Sequence, residues 1–149
     1  DSHLWAFEAG GATWGDRSLG LDEALPASRT TLKGVIEDVG VKTLTYIYDY
    51  GDNWEHKIRL EGLRDPEPGR LYPHLVKAEG RCPPEDIGGF PGYEMYLQVM
   101  ADPDHEEHAS MIEFYGEPED PTVPELDTIS VQLGRLAKRW APRPRKPKP

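Results

Sequence analysis

Residues 62–92 carry six prolines and six glycines and hold no regular hydrophobic period. Proline removes a backbone donor and fixes φ, and glycine is costly to order, so neither a long helix nor a strand ladder runs through such a stretch. It therefore splits the chain into a front half patterned at period two and a back half patterned near 3.6. Strands first and helices last predict an α+β domain, with an antiparallel sheet and the C-terminal helices packed on one side, rather than a doubly wound fold. A length of 149 residues suits one domain.

In the front half, residues 4–8 and 12–14 flank Gly10 and Gly11, a pair that supplies the positive dihedrals of a tight hairpin turn. Residues 16–28 read as mostly loop. Thr30 or Thr31 can cap a short helix through Leu32, Val35 and Ile36 that ends near Gly40. A second hairpin is predicted from residues 41–48, rich in branched and aromatic types, and from Trp54, His56, Ile58 and Leu60 alternating with charged residues. In the back half, helices are expected over residues 93–100, over residues 104–115 and from a cap at Asp127 to Trp140.

Two polar, turn-rich blocks stand against these elements: Tyr48-Asp49-Tyr50-Gly51-Asp52-Asn53-Trp54-Glu55-His56 and Cys82-Pro83-Pro84-Glu85-Asp86-Ile87-Gly88-Gly89. Loops carry function more often than packing does, which makes Asp49, Asp52, Trp54, His56, Pro83, Pro84, Glu85, Asp86 and Tyr93 the binding candidates. Carboxylates such as Asp49 and Asp52 beside a glycine commonly close a turn on backbone amides. In the competing reading, Asp52 and His56 line a cleft walled by Trp54, where a neutral imidazole serves as base or ligand. Catalytic candidates are then Asp52, His56, Glu85 and Asp86.

Histidine and acid are densest at Asp102-Pro103-Asp104-His105-Glu106-Glu107-His108. On a helix starting near Asp104, His105 and His108 would share a face, so that His56, His105, His108 and Asp102 form a candidate set for a divalent metal such as zinc. Against this stands an ordinary helix start, with Asp104 as cap and acids favoured by the helix dipole. No His-Glu-x-x-His, phosphate-cradling or dinucleotide-binding motif is present, and the single cysteine, Cys82, has no C-x-x-C partner. The expected cofactor is accordingly none, with the metal as the alternative.

Charge separates along the chain. Arg135, Lys138, Arg139, Arg143, Arg145, Lys146 and Lys148 give seven cations and no acid after Gly134, which leaves −17 on the rest. That acidic body repels nucleic-acid phosphates, whereas a basic, proline-rich tail over residues 141–149 is the one segment suited to them; otherwise it is a solubilising, polyproline-like end. No apolar run is long enough to span a bilayer and no leader pattern opens the chain, so a cytoplasmic, non-membrane protein is expected.

The ordered set from Tyr48 to Glu61, then Tyr72-Pro73, residues 82–89, Gly92-Tyr93 and residues 102–108 resembles the Ri-plasmid open-reading-frame-three-like family. The resemblance covers residues 1–140, and some members carry the resolvase-like label TnpR as passengers of insertion elements. Relatives begin with a further hairpin and helix, which predicts that this chain is N-terminally incomplete and leaves a sheet edge in need of cover. Leu75 and Ile87 stand where relatives often have cysteine, so any thiolate site of theirs is incomplete here. The family implies no established reaction, and a serine recombinase would need a nucleophilic serine within an arginine set that this acidic body does not offer. The leading expectation is an accessory or adaptor module that binds a protein partner through the proline-rich loop and the Trp54 face; the alternative is a metal-dependent hydrolase or nuclease.

Overall fold

The computed structural model describes residues 3–141. Strands β1 (Trp5–Ala9) and β2 (Ala12–Gly15) form the first hairpin, and Gly10 and Gly11 turn it with φ of 54° and 83°. A two-residue strand β3 (Leu25–Pro26) follows, then helix α1 (Leu32–Val39), strands β4 (Thr43–Tyr48) and β5 (Trp54–Arg59), and helices α2 (Gly89–Ala101), α3 (His108–Tyr115) and α4 (Leu126–Trp140). The sheet order is β3-β2-β1-β4-β5. Its ladders are antiparallel except at the β3 edge, where Leu25 pairs in parallel with Trp14. The fold is α+β, as the halves of the sequence imply. The parallel edge is an addition, since two residues inside a loop carry no periodic signal.

Two compact units divide the chain: residues 1–63 with 84–116, and residues 64–83 with 117–149. In the first unit, register puts Trp5, Phe7, Ala9, Trp14, Leu44, Tyr46, Tyr48, Trp54, His56 and Ile58 on one face of the sheet. Helix α1 covers part of that face, packing Val35 with Ala9, Trp14 and Leu44. Thr31 caps it by accepting the Gly34 N–H at 3.0 Å, and Gly40 ends it in the left-handed region. Ala6 and Ile47 fall on the opposite face and are also buried, so the centre of the sheet is covered on both sides. A second cluster joins Ile87, Tyr96 and Met100 to Trp54, Tyr93, Met111, Ile112 and Tyr115.

The second unit contains α4 and is pinned at Arg81. Its guanidinium pairs with Glu119 and, at 2.6 Å, with Glu125, while the Arg81 N–H donates to the Pro121 carbonyl at 2.8 Å.

Three boundaries differ from expectation. Helix α2 begins at Gly89, four residues before Tyr93, because Pro91 lies in the first turn, where a missing N–H costs nothing. Helix α3 begins at His108 rather than Asp104; Asp102 instead turns the chain by accepting the Asp104 N–H at 3.1 Å. Helix α4 takes Glu125 at its N-cap position without a side-chain cap bond, and Asp127 lies in its first turn. The basic tail from Pro142 to Pro149 lies outside the described residues.

Gly89 is fixed by geometry. Its φ is +66°, and a Cβ there would collide with the Asp52 carbonyl oxygen. Gly89→Ala is expected to cost about 2–4 kcal/mol in urea denaturation, from combined overpacking and left-handed strain. Gly134, inside α4 with nothing near its added Cβ, should instead gain about 0.5–1 kcal/mol on conversion to alanine.

Candidate functional site

The turn between β4 and β5 is built by its own carboxylates. Asp49 adopts φ 54° and accepts the Gly51 N–H on Oδ1 at 2.9 Å, the turn-closing role that aspartate performs well because its short side chain reaches a nearby amide. Asp52 does something less local: its Oδ2 accepts the Gly88 N–H at 3.1 Å, at the start of α2. The helix start is thus met by a carboxylate of the hairpin rather than by Glu85 or Asp86 of its own loop.

Glu85 makes the return contact. The Tyr48 hydroxyl donates to its carboxylate at 3.1 Å to Oε2 and 3.3 Å to Oε1. Asp86 sits at φ 55° and its carbonyl accepts from the Tyr115 hydroxyl at 3.4 Å. Trp54 and Tyr93 pack on the Ile87, Tyr96 and Met100 cluster, so both are half-buried struts of the junction rather than exposed anchors. Pro84 is half-buried in the same unit; Pro83 belongs to the other one. The two sequence blocks therefore meet on one surface.

His3 completes this corner. Its Nδ1 lies 3.1 Å from Asp49 Oδ2, and its Nε2 lies 3.6 Å from Asp86 Oδ1 and 4.0 Å from Glu85 Oε2. The ring also meets Tyr48 edge-on at 5.6 Å. From there a run of rings crosses the sheet: Tyr48 to Tyr46 at 6.5 Å, Tyr46 to Phe7 at 4.8 Å and to His56 at 5.6 Å, and Phe7 to Trp5 at 5.9 Å. The rings of Trp5, Phe7, Tyr46 and Tyr48 are half-buried, and His56 is exposed.

The expected set of His56, His105, His108 and Asp102 does not assemble. Among the described residues, the one group of three with ligand atoms within 4.8 Å of each other is His3, Asp49 and Asp86. His56 turns its Nδ1 to the Trp54 carbonyl at 3.2 Å, and His105 Nδ1 accepts the Glu107 N–H at 3.1 Å. The shared-face argument for His105 and His108 fails because residues 102–107 form turns, not helix. Sequence reading missed His3, Trp5, Phe7 and Tyr46. Their alternation at positions 3, 5 and 7 was visible, but the pairing of β1 with β4 that aligns them was not.

A family model described as plasmid pRiA4b ORF-3-like protein matches residues 1–128. The chain belongs to the plasmid pRiA4b ORF-3-like family. It is 36% identical over 149 residues to the uncharacterized protein y4hQ of Sinorhizobium fredii, covering 98% of this chain and 76% of that one. The crystal structure of MM3350, a protein of unknown function from Methanosarcina mazei Go1, superposes with a TM-score of 0.74 at 30% identity, covering 86% of this chain and 73% of that one. Among the described residues of this ORF-3-like chain, no helix is long and apolar enough to cross a membrane.

Tyr48 reports on the junction through its ionisation. Desolvation first, then the hydrogen bond and charge of Glu85, push its phenol above the ordinary 10.0. A raised folded-state value means that folding favours the neutral phenol, so this contribution is present below pH 10 and is lost as pH rises through the folded value. The stability of the wild type should fall more steeply above pH 10 than that of Tyr48→Phe, as read from urea midpoints across that range. Equal slopes would show that the folded protein does not hold the Tyr48 phenol in its neutral form.

Proposed function

We propose that this chain is a non-catalytic, cytoplasmic accessory module of mobile elements that binds another protein, and that the ring-lined face of its sheet is the docking surface. The observation that carries the reading is the run of Trp5, Phe7, Tyr46, Tyr48 and His56 on one face, with successive centroids 4.8–6.5 Å apart. Aromatic rings supply large contact area with few torsions to freeze, which is why they dominate binding hot spots. The family's plasmid association supports the mobile-element part.

The chemistry of the face selects the partner. Rows of rings accept extended, proline-containing segments, whose polyproline conformation is largely prepaid in entropy. The acidic balance of the protein, −10 overall, draws lysine and arginine, which also sit favourably over ring faces. The partner segment we propose is therefore extended, proline-rich and basic. Trp54, the anchor expected from sequence, lies on the same face but packs against the Ile87, Tyr96 and Met100 cluster at its end.

A peptide of the sequence Pro-Arg-Pro-Arg-Lys-Pro-Lys-Pro, which is that of residues 142–149, is a suitable probe. Calorimetric titration should detect binding that weakens with added salt and drops about tenfold in Tyr46→Leu and in His56→Ala, equivalent to about 1.4 kcal/mol. Absence of binding, or binding unmoved by both substitutions, would rule out this docking face.

A further inference from the structure

We propose a second site at the corner of the same unit: a divalent transition-metal site built on the group of His3, Asp49 and Asp86, with His3 Nε2 and Asp86 Oδ1 as ligands, Asp49 behind the imidazole, and the exposed Glu85 carboxylate rotating in as a third ligand. This inference does not depend on the docking reading. It starts from the carboxylate behind the imidazole.

Asp49 is fixed on both oxygens, Oδ1 by the Gly51 N–H at 2.9 Å and Oδ2 beside His3 Nδ1 at 3.1 Å. Its side chain is only 14% exposed. Held this way, Asp49 accepts a hydrogen bond from Nδ1–H and leaves Nε2 as the ring's open nitrogen. That arrangement, a carboxylate setting the tautomer and aim of a histidine from the far side, is the usual outer support of a metal-bound imidazole.

The open nitrogen faces acceptors. Asp86 Oδ1 lies 3.6 Å from it and Glu85 Oε2 4.0 Å from it, so an unprotonated Nε2 there faces two acceptors with no cation between. Distance separates a proton from a metal. An N–H···O bond closes to about 2.7–3.2 Å, shorter than either separation. Ligand atoms around an ion with bonds of about 2.1 Å stand roughly 3.0–3.4 Å apart, and both carboxylates are 68% exposed and can rotate inward to that spacing. Tyr48 steadies Glu85 by its hydrogen bond at 3.1 Å, as a second outer support.

One imidazole nitrogen with carboxylate oxygens suits zinc or manganese better than magnesium, which prefers oxygen alone and keeps its waters. Three protein ligands would leave coordination positions for solvent or for a donor brought by another molecule.

Chelator-treated full-length chain titrated calorimetrically with Zn2+ and with Mn2+ tests the site. One equivalent of at least one metal should bind. His3→Ala and Asp86→Asn should each weaken it by a hundredfold or more, and Asp49→Asn by about ten- to a hundredfold, the usual effect of losing an outer support. His56→Ala and His105→Ala should leave the affinity unchanged. On the unaltered chain, nitrogen-15 spectra should show the metal on Nε2 of His3, with Nδ1 still protonated. Failure of both metals to bind stoichiometrically, retention of binding in His3→Ala, or a His3 ring protonated on both nitrogens at saturating metal would overturn the proposal. Peptide binding is read by a separate titration, so the two readings stand or fall independently.

Discussion

The contact between the β4–β5 turn and the start of α2 is the constraint on which the functional surface depends. Asp52 accepts the Gly88 N–H, and Gly89 lets the Asp52 carbonyl approach where any side chain would collide. A helix start presents unpaired N–H groups, and a carboxylate there satisfies one of them while favouring the helix dipole. The contact fixes more than the helix. It brings Glu85 under the Tyr48 hydroxyl and Asp86 opposite His3, so one backbone approach sets where the loop's two carboxylates stand at the corner.

The same corner shows how a small set of groups divides structural and chemical work. Asp49 closes its turn with one oxygen and holds an imidazole with the other. Tyr48 is at once a strand residue, a ring in the aromatic row and the donor that steadies Glu85. Trp54 and Tyr93, which have the look of surface anchors in the sequence, are spent on packing against Ile87 and Tyr96. Burial of a tryptophan stabilises by about 25 cal/mol for each Å2 of apolar area removed from water, a larger gain than exposure would bring before a partner arrives.

Much of this was legible from residues alone. Gly10-Gly11, Thr31, Gly40 and the alternation of β4 and β5 marked their elements because each is a local decision of turn chemistry, capping or periodicity. The two polar blocks were marked as well, by their turn residues and acids, though their meeting rests on the Asp52–Gly88 and Tyr48–Glu85 contacts. What failed was long-range: the metal set of His56, His105, His108 and Asp102 required a helix from Asp104, and Asp102 spends its carboxylate on the turn that delays that helix to His108. His3 carried no signal of its own, since a lone histidine near the start of a strand gains meaning only from Asp49, forty-six positions away, and that pairing is a matter of register.

The discontinuous division of the chain has a consequence for its synthesis. The first unit uses residues 1–63 and 84–116, whereas residues 64–83 belong with 117–149. Domains fold as they leave the ribosome, N-terminal parts first. The first unit can therefore close as soon as Gly116 emerges, but residues 64–83 are released early and must wait. Until Glu119, Pro121 and Glu125 have emerged as well, Arg81 has none of the partners that pin it. The order of the chain thus makes the proline-rich stretch the last part to be anchored, by residues that follow Gly116.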